Sequence, residues 1–567
     1  MPRTELMTQL IRLRRLGAAS RATGLDMHTV DGRARAMATS DEGLTRREIL
    51  RRGAVAGAGA TVAGKMVLSP SSALAASPPR TQPSIAIVGA GVGGMTTAMT
   101  LKDRGFTNIT VYEANNRVGG RTYTNKTFWN SGQWTEWGGE LIDTNHDAIH
   151  ALNRRFGFAE VDLTTVQTSG SRDIIYMDGS YYPWADMVND WYTAGIDAIL
   201  DNQMRIMPPW PWRYNANWTQ QAIALSNMSL YDWIDTYIPG GHSSRLGRFF
   251  DLAYVLEEGV EAREQSCLCM LSINGFATGV PQDQWWVWGE SDERYKIVGG
   301  NQQISLAQAD YIGSSNIHLG WSLTNLTRSS AGPSTMTFDV GGSSRTVTAD
   351  HVVLAIPVGV LADIKNHGGF ANAGFDARKL GVIDNLLMGA VNKLHVQTTD
   401  RFYARPGVWG NSTGSSFGDG YQQFWDGTWA EPGTTGVVCN YYAGDAARAV
   451  SPSKPWSDTN DSSSAVRQFI RNDVTKFLGQ AEPAFPGMTQ RATGKATLAS
   501  WHTSPFQRGA YCYWKPGYVH NYCTYERVPQ GQVHFAGEHC SLDFQGYING
   551  AADEGIRAAN EIIRVAA

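Results

Sequence analysis

The alternation of apolar and polar positions gives its clearest signal at residues 84–121. Residues 84–88 (SIAIV) form a β-branched run of the length of a buried strand. Residues 95–104 carry apolar side chains at helical spacing, and Gly105 stands where a helix-ending glycine belongs. A second β-rich piece, 109–112, delivers Glu113. Further along, 336–347 reads as a hairpin through Gly341-Gly342, 351–361 (HVVLAIPVGVL) as a buried strand ended by proline, and 386–397 as an apolar strand holding one lysine. Span 161–297 is rich in Trp, Tyr and Met, with helical periodicity on either side of a proline-rich loop at 208–212. A last helix runs to the C-terminus.

Between the first strand and its helix stands Gly89-Ala90-Gly91-Val92-Gly93-Gly94, a G-x-G-x-x-G with glycines at 89, 91 and 94. Gly89 permits the tight turn, Gly91 lets a pyrophosphate approach the backbone, and Gly94 lets helix and strand pack closely. The helix N-terminus offers unpaired N–H groups to the phosphates. Glu113, at the end of the second strand, can accept hydrogen bonds from a ribose diol. Strand, glycine turn, helix, strand and acid in that order predict a dinucleotide site, and the acid favours a free 2′-hydroxyl over the 2′-phosphate of NADP.

The residues that follow, Glu113-Ala114-Asn115-Asn116-Arg117-Val118-Gly119-Gly120-Arg121, resemble the E-A-x-x-R-x-G-G-R segment of the flavin amine oxidase family. There the segment wraps FAD, which implies a cofactor contact for Arg121. Thr135-Glu136-Trp137-Gly138-Gly139-Glu140 resembles the family's next landmark, where backbone at Gly138 and Gly139 approaches the flavin ring and Glu140 follows. L-amino-acid oxidases of this superfamily usually place an arginine one residue after Glu140, to pair with the substrate carboxylate. Leu141 stands there instead, which favours an amine over an amino acid.

Tyr295-Lys296-Ile297-Val298-Gly299-Gly300 resembles the re-entry into the FAD domain, and the strand around 322–324 then implies that Leu323 backbone lies beside the adenine. Lys393, inside its apolar strand, matches the lysine that holds a water against flavin N5 in the resembling enzymes. The plain alternative is a buried stem with its tip in solvent. The C-terminal pieces are similar to monoamine oxidases, whose two cage tyrosines fall here on Tyr511 and Tyr547, with Trp501, Glu538 and Ile548 assigned to the cofactor. The residue before the first cage tyrosine is Ala510, where monoamine oxidases bond FAD through cysteine, so non-covalent FAD is implied. His502 and His539 read as packed histidines rather than bases.

The resemblance implies an α/β fold: a Rossmann-like FAD-binding domain built from three discontinuous segments, 84–160, 298–382 and 504–567, with an inserted α+β substrate-binding domain at 161–297 and 383–503. The implied reaction oxidises an amine C–N bond to an imine, with O2 reduced to H2O2. An L-amino-acid oxidase, drawing a carboxylate-binding arginine from Arg205, Arg213 or Arg263, and a flavin desaturase remain alternatives. Assembly as a homodimer is left open.

Composition changes this picture little. The 567 residues are 42% hydrophobic and 18% charged, and a net charge of −4 gives no electrostatic case for nucleic acid. The six cysteines lack zinc-knuckle spacing and read as buried thiols, with a Cys512–Cys523 disulfide as the alternative. Glu257, Glu258, Glu261 and Glu264 read as a solvated helix face rather than as a lure for a cationic substrate. Nothing after the N-terminal region has 18 unbroken apolar residues, so no transmembrane segment is expected. Residues 1–76 read as a disordered lead plus signal: Arg46-Arg47, a mild apolar run at 53–68 and Ala73-Leu74-Ala75 resemble a bacterial twin-arginine export signal.

Overall fold

The computed structural model describes residues 82–165, 172–275, 293–328, 332–404, 412–418 and 420–566. The twin-arginine segment and its cleavage site lie outside them.

A five-stranded sheet is assembled from distant parts of the chain, in the order Val533–Phe535, His351–Leu354, Ile85–Val88, Ile109–Glu113, Ile317–Leu319. Every neighbouring pair is parallel. Such a sheet is covered on both faces, which is why its central strand is an unbroken apolar run. Ile85 and Ile87 pack with Met95, Ala98 and Ile562 on one face. Ala86 and Val88 pack with Leu323, Met336 and Phe338 on the other.

The helix Val92–Asp103 crosses the C-terminal helix Ile548–Ala566 at a point where side chains are excluded. A Cβ on Gly555 would stand 2.3 Å from Gly93 O, and Thr97 Oγ1 donates to Gly555 O at 3.1 Å. The C-terminal helix is therefore locked at Gly555 onto the helix that follows the glycine turn. Strands Ser322–Thr327, Ser334–Val340 and Ser343–Ala349 form a three-stranded antiparallel sheet, the hairpin turning at Gly341 (φ 60°) and Gly342 (φ 84°).

A second, eight-stranded sheet contains Val391–Thr398 at its centre, flanked by Ala492–Ser500 and Gly436–Ala443, with Gln422–Asp426 next. Its two faces carry separate cores. One packs Val396, Phe424 and Leu498 against Ile470 and Phe477. The other takes the helices of 184–275, where Trp191, Trp212 and Trp233 are fully buried. The strand Glu160–Asp162 pairs antiparallel with Tyr295–Ile297, so the two ends of the helical insertion are stitched together.

Several expectations need correction. The strand expected over 351–361 ends at Leu354, because Pro357 caps the helix Val358–Asn366 with its pre-set φ. The run 386–397 is two strands, Leu386–Met388 and Val391–Thr398, which pair in different sheets. Glu257 and Glu258 are buried at the end of the helix Arg245–Glu258 rather than solvated. Glu264 pairs with Arg448 at 2.8 Å. All six cysteines are free and buried, so the alternative Cys512–Cys523 disulfide is not formed. Among the described residues, no helix is long and apolar enough to cross a membrane.

Candidate active site

A cavity of about 550 Å3 runs from the glycine turn of the parallel sheet to the central strands of the eight-stranded sheet. Of the residues singled out by sequence, Gly89, Gly91, Glu113, Arg121, Gly138, Gly139, Glu140, Leu323, Lys393, Trp501, Tyr511, Glu538, Tyr547 and Ile548 all line it. Gly94 does not. A Cβ there would stand 2.0 Å from Gly89 O, so that glycine serves the contact between helix and turn.

The nucleotide end is built of backbone. Gly89 sits at φ +106°, and a Cβ on it would meet Ala355 O at 2.5 Å. A Cβ on Gly91 would meet nothing nearer than Gly120 Cα at 3.9 Å, so this cradle is one a side chain would fill. The N–H groups of the first turn of Val92–Asp103 open on the same space, as does the N-terminus of Ile548–Ala566. Glu113 accepts from Ala90 N at 2.7 Å and Asn115 N at 2.8 Å, leaving lone pairs on both oxygens for a diol. Burial pushes its carboxyl up, against the pull of those two N–H groups. Leu323 is buried on the wall beside Val360 and Ile364. These residues fit an adenine dinucleotide: apolar wall, carboxylate and glycine cradle in sequence.

Gly138 and Gly139 are glycines because of protein contacts. A Cβ on Gly138 would stand 1.9 Å from Arg121 O, and one on Gly139 would stand 2.8 Å from Ile548 Cδ1. Trp501 closes this wall, its Nε1 donating to Trp137 O at 2.7 Å. Arg121 forms an ion pair with Glu538 at 2.8 Å and donates to Ala510 O at 2.6 Å.

The other end is built of side chains. Lys393 is buried, and Nζ donates to Glu140 Oε2 at 2.9 Å, Gly138 O at 3.0 Å and Glu136 O at 3.3 Å. The tip is therefore inside the protein and not in solvent. Burial alone would lower its pKa, but the adjoining Glu140 carboxylate outweighs it and the net direction is up, so Lys393 stays an ammonium. A second buried lysine, Lys296, bonds Glu431 at 2.5 Å and lies 4.0 Å from the other oxygen of Glu140. Burial pushes the carboxyls of Glu136 and Glu431 each up to about 7, the latter against the attraction of Lys296. Glu140 thus stands between two ammonium groups.

Tyr511 and Tyr547 both reach this end. The Tyr511 hydroxyl donates to Leu256 O at 2.9 Å and meets the Tyr441 hydroxyl at 2.5 Å. With the Tyr511 proton committed to the carbonyl, Tyr441 is the donor between the two. Tyr441 sits directly across from Lys393 in the sheet register, and its ring lies 5.5 Å from that of Trp425. The Tyr547 ring meets His146 edge-on at 5.1 Å, and burial pushes His146 down to about 3, so it stays neutral. His502 and His539 do not line the cavity, and burial lowers the pKa of both.

Sequence reasoning missed Tyr441, Trp425, Lys296 and Glu431. Tyr441 and Trp425 lie in the strands Gly436–Ala443 and Gln422–Asp426, which carry no motif of their own. Lys296 carried a usable signal: a lysine between Tyr295 and Ile297 in a strand-like piece, in the same way as Lys393.

The family model for flavin containing amine oxidoreductases matches residues 92–563. A flavin-containing amine oxidase of Danio rerio is 23% identical over 495 residues, covering 84% of this chain and 85% of its own length. A putative L-amino-acid oxidase of Bacillus subtilis is 21% identical over 500 residues, 85% of this chain and 95% of its own. Among solved structures, cyclohexylamine oxidase from Brevibacterium oxydans superposes with a TM-score of 0.67 at 21% identity, over 86% of this chain and 99% of that one. Putrescine oxidase bound to putrescine gives 0.65 at 19%, over 85% and 99%.

Proposed function

The chain belongs to the flavin containing amine oxidoreductase family and is an FAD-dependent enzyme of amine oxidation; on that premise we propose that its substrates are amines without an α-carboxylate and that dioxygen is the final acceptor. One observation carries the choice of substrate. The cavity's amine end is lined by Trp425, Tyr441, Tyr511 and Tyr547, and each arginine lining the cavity already faces a carboxylate: Arg121 with Glu538, Arg294 with Asp162, Arg508 with Asp363. A substrate carboxylate would compete with these pairs, whereas an amine meets electron-rich ring faces. Arg205 and Arg213 do not line the cavity, and Arg263 is exposed on Asp445.

FAD, which the Gly89–Gly91 turn, Glu113 and the Gly138–Gly139 wall would hold, would supply a two-electron acceptor for the hydride lost from the α-carbon of the amine. The protein's part is binding and electrostatics. Tyr511, held at its hydroxyl by Leu256 O and Tyr441, presents a fixed ring to the substrate. An amine must enter neutral for its nitrogen lone pair to assist loss of the α-hydrogen as hydride; the resulting protonated imine is hydrolysed by water to a carbonyl compound, the nitrogen leaving as an ammonium ion. No protein nucleophile or base is needed. The Lys393 ammonium, fixed by Glu140 and two carbonyls, offers a preorganised positive charge for the negative charge that develops on dioxygen.

We assign FAD as non-covalent because Ala510 precedes Tyr511 and the nearby Cys512 thiol is buried, donating to Glu538 at 3.3 Å. Acid precipitation should release the yellow cofactor and leave a colourless pellet. Export by the twin-arginine route rests on the sequence alone, and replacing Arg46-Arg47 by Lys-Lys should abolish secretion from a bacterial host.

Peroxide release from tyramine and from tyrosine tests the substrate reading. Turnover of tyramine alone is expected. Turnover of tyrosine alone would make the chain an amino-acid oxidase, and silence from both with FAD bound would remove dioxygen as acceptor.

A further inference from the structure

Glu538 lies on the cavity wall directly after the strand Val533–Phe535, where the sequence assigns it to the cofactor. Its hydrogen bonds lead elsewhere. Oε1 accepts from Arg121 Nη1 at 2.8 Å and from Cys512 N at 3.3 Å. Oε2 accepts from Cys512 Sγ at 3.3 Å and from Gly546 N at 2.8 Å. Arg121 Nη1 donates in turn to Ala510 O at 2.6 Å. One ion pair thus grips Ala510 and Cys512, on either side of Tyr511, and Gly546, the residue before Tyr547.

Cys512 opens the strand Cys512–Trp514, which pairs with Leu386–Met388, and Tyr547 directly precedes the helix Ile548–Ala566. Gly546 has φ +87°, a left-handed conformation that turns the chain into Tyr547. Ala510 and Tyr511 exchange hydrogen bonds with Gly389, at the break between two strands. The two tyrosines arrive from different elements, and the Glu538 carboxylate is bonded to the backbone next to both.

We propose that Glu538, paired with Arg121, is a positioning residue for the amine: it sets the separation of the Tyr511 and Tyr547 rings and so the width of the slot between them. The inference rests on the reading of these tyrosines as the amine-binding wall. A carboxylate suits the task because both oxygens accept. A glutamine would turn an NH2 toward Gly546 N–H or toward Arg121, and an aspartate is one methylene too short to reach both loops.

E538Q and E538D holoenzymes test it, with Tyr547→Ala beside them. The probe is 2-phenylpropan-2-amine, which has no hydrogen on its α-carbon and binds without being oxidised. Its dissociation constant is read from the perturbation of the flavin absorption band. Both Glu538 variants should retain FAD and bind the probe about tenfold more weakly or worse, with KM for an oxidisable amine rising more than kcat falls. Unchanged probe affinity in both variants, with Y547A weakened, overturns the inference alone. Unchanged affinity in Y547A overturns the tyrosine wall and the inference with it. Loss of FAD from both Glu538 variants, with normal probe affinity in the fraction that keeps it, gives Glu538 to the cofactor and also overturns the proposal. If E538D does not accumulate, E538Q decides, since its side chain has the length and volume of the original.

Discussion

The two ends of the cavity are made of different material. At the nucleotide end the chain supplies glycine backbone, two helix N-termini and one carboxylate, nearly all within residues 84–121. At the amine end it supplies side chains from the strands Val391–Thr398, Gln422–Asp426 and Gly436–Ala443, from Glu140 and from two C-terminal loops. A phosphate chain is recognised by N–H groups that every residue but proline owns, so the sequence must only keep side chains out of the way. An amine held between rings needs particular side chains at fixed separations, and those require long-range packing.

The contrast predicts that damage at each end has a different signature. Gly89→Val should have the largest effect. Its Cβ would lie 2.5 Å from Ala355 O at a φ of +106°, so the turn cannot form and the purified protein should lack flavin absorbance. Normal FAD content would show that the turn does not hold the cofactor. Lys393→Met should leave FAD in place and slow the reaction of reduced enzyme with dioxygen about 100-fold, measured by stopped flow. A rate within about twofold of wild type removes Lys393 from the oxygen step.

Glu140→Gln sharpens the comparison through pH. The carboxylate is what keeps the Lys393 pKa up against burial. Without it the ammonium is lost as pH rises through a lowered pKa, so the oxygen reaction should decline on the alkaline side at lower pH than in wild type. Because two buried ammonium groups face this carboxylate, the variant should also lose about 3 kcal/mol of stability, seen as a lower Tm. A superimposable pH profile would mean that Glu140 does not set the state of Lys393. Tyr441→Phe should do least, removing its hydroxyl contact with Tyr511 and raising KM for an arylalkylamine roughly fivefold, about 1 kcal/mol, with FAD affinity untouched.

Legibility followed the same divide. The strand, glycine turn, helix and acid at the nucleotide end could be read because the information is local and periodic. Lys393, Tyr511 and Tyr547 were found only through resemblance, since periodicity alone gives an odd lysine and two ordinary tyrosines. Tyr441 was invisible because its role depends on the hydroxyl of Tyr511, 70 residues further along the chain. The burial of Glu257 and Glu258 was missed because helical spacing says which residues share a face, but not what covers it. The strand break at Gly389 was missed for a related reason: its carbonyl and N–H pair with Ala510 and Tyr511, far along the chain.

The central claim, that a backbone cradle holds FAD while a ring-lined wall admits amines, is tested most directly by anaerobic mixing of the oxidised holoenzyme with phenethylamine or with phenylalanine. Without oxygen, a single turnover bleaches the flavin and reports substrate entry and hydride transfer alone. The account predicts full bleaching by phenethylamine and none by phenylalanine. Bleaching by phenylalanine alone, or by neither while FAD remains bound, would contradict it.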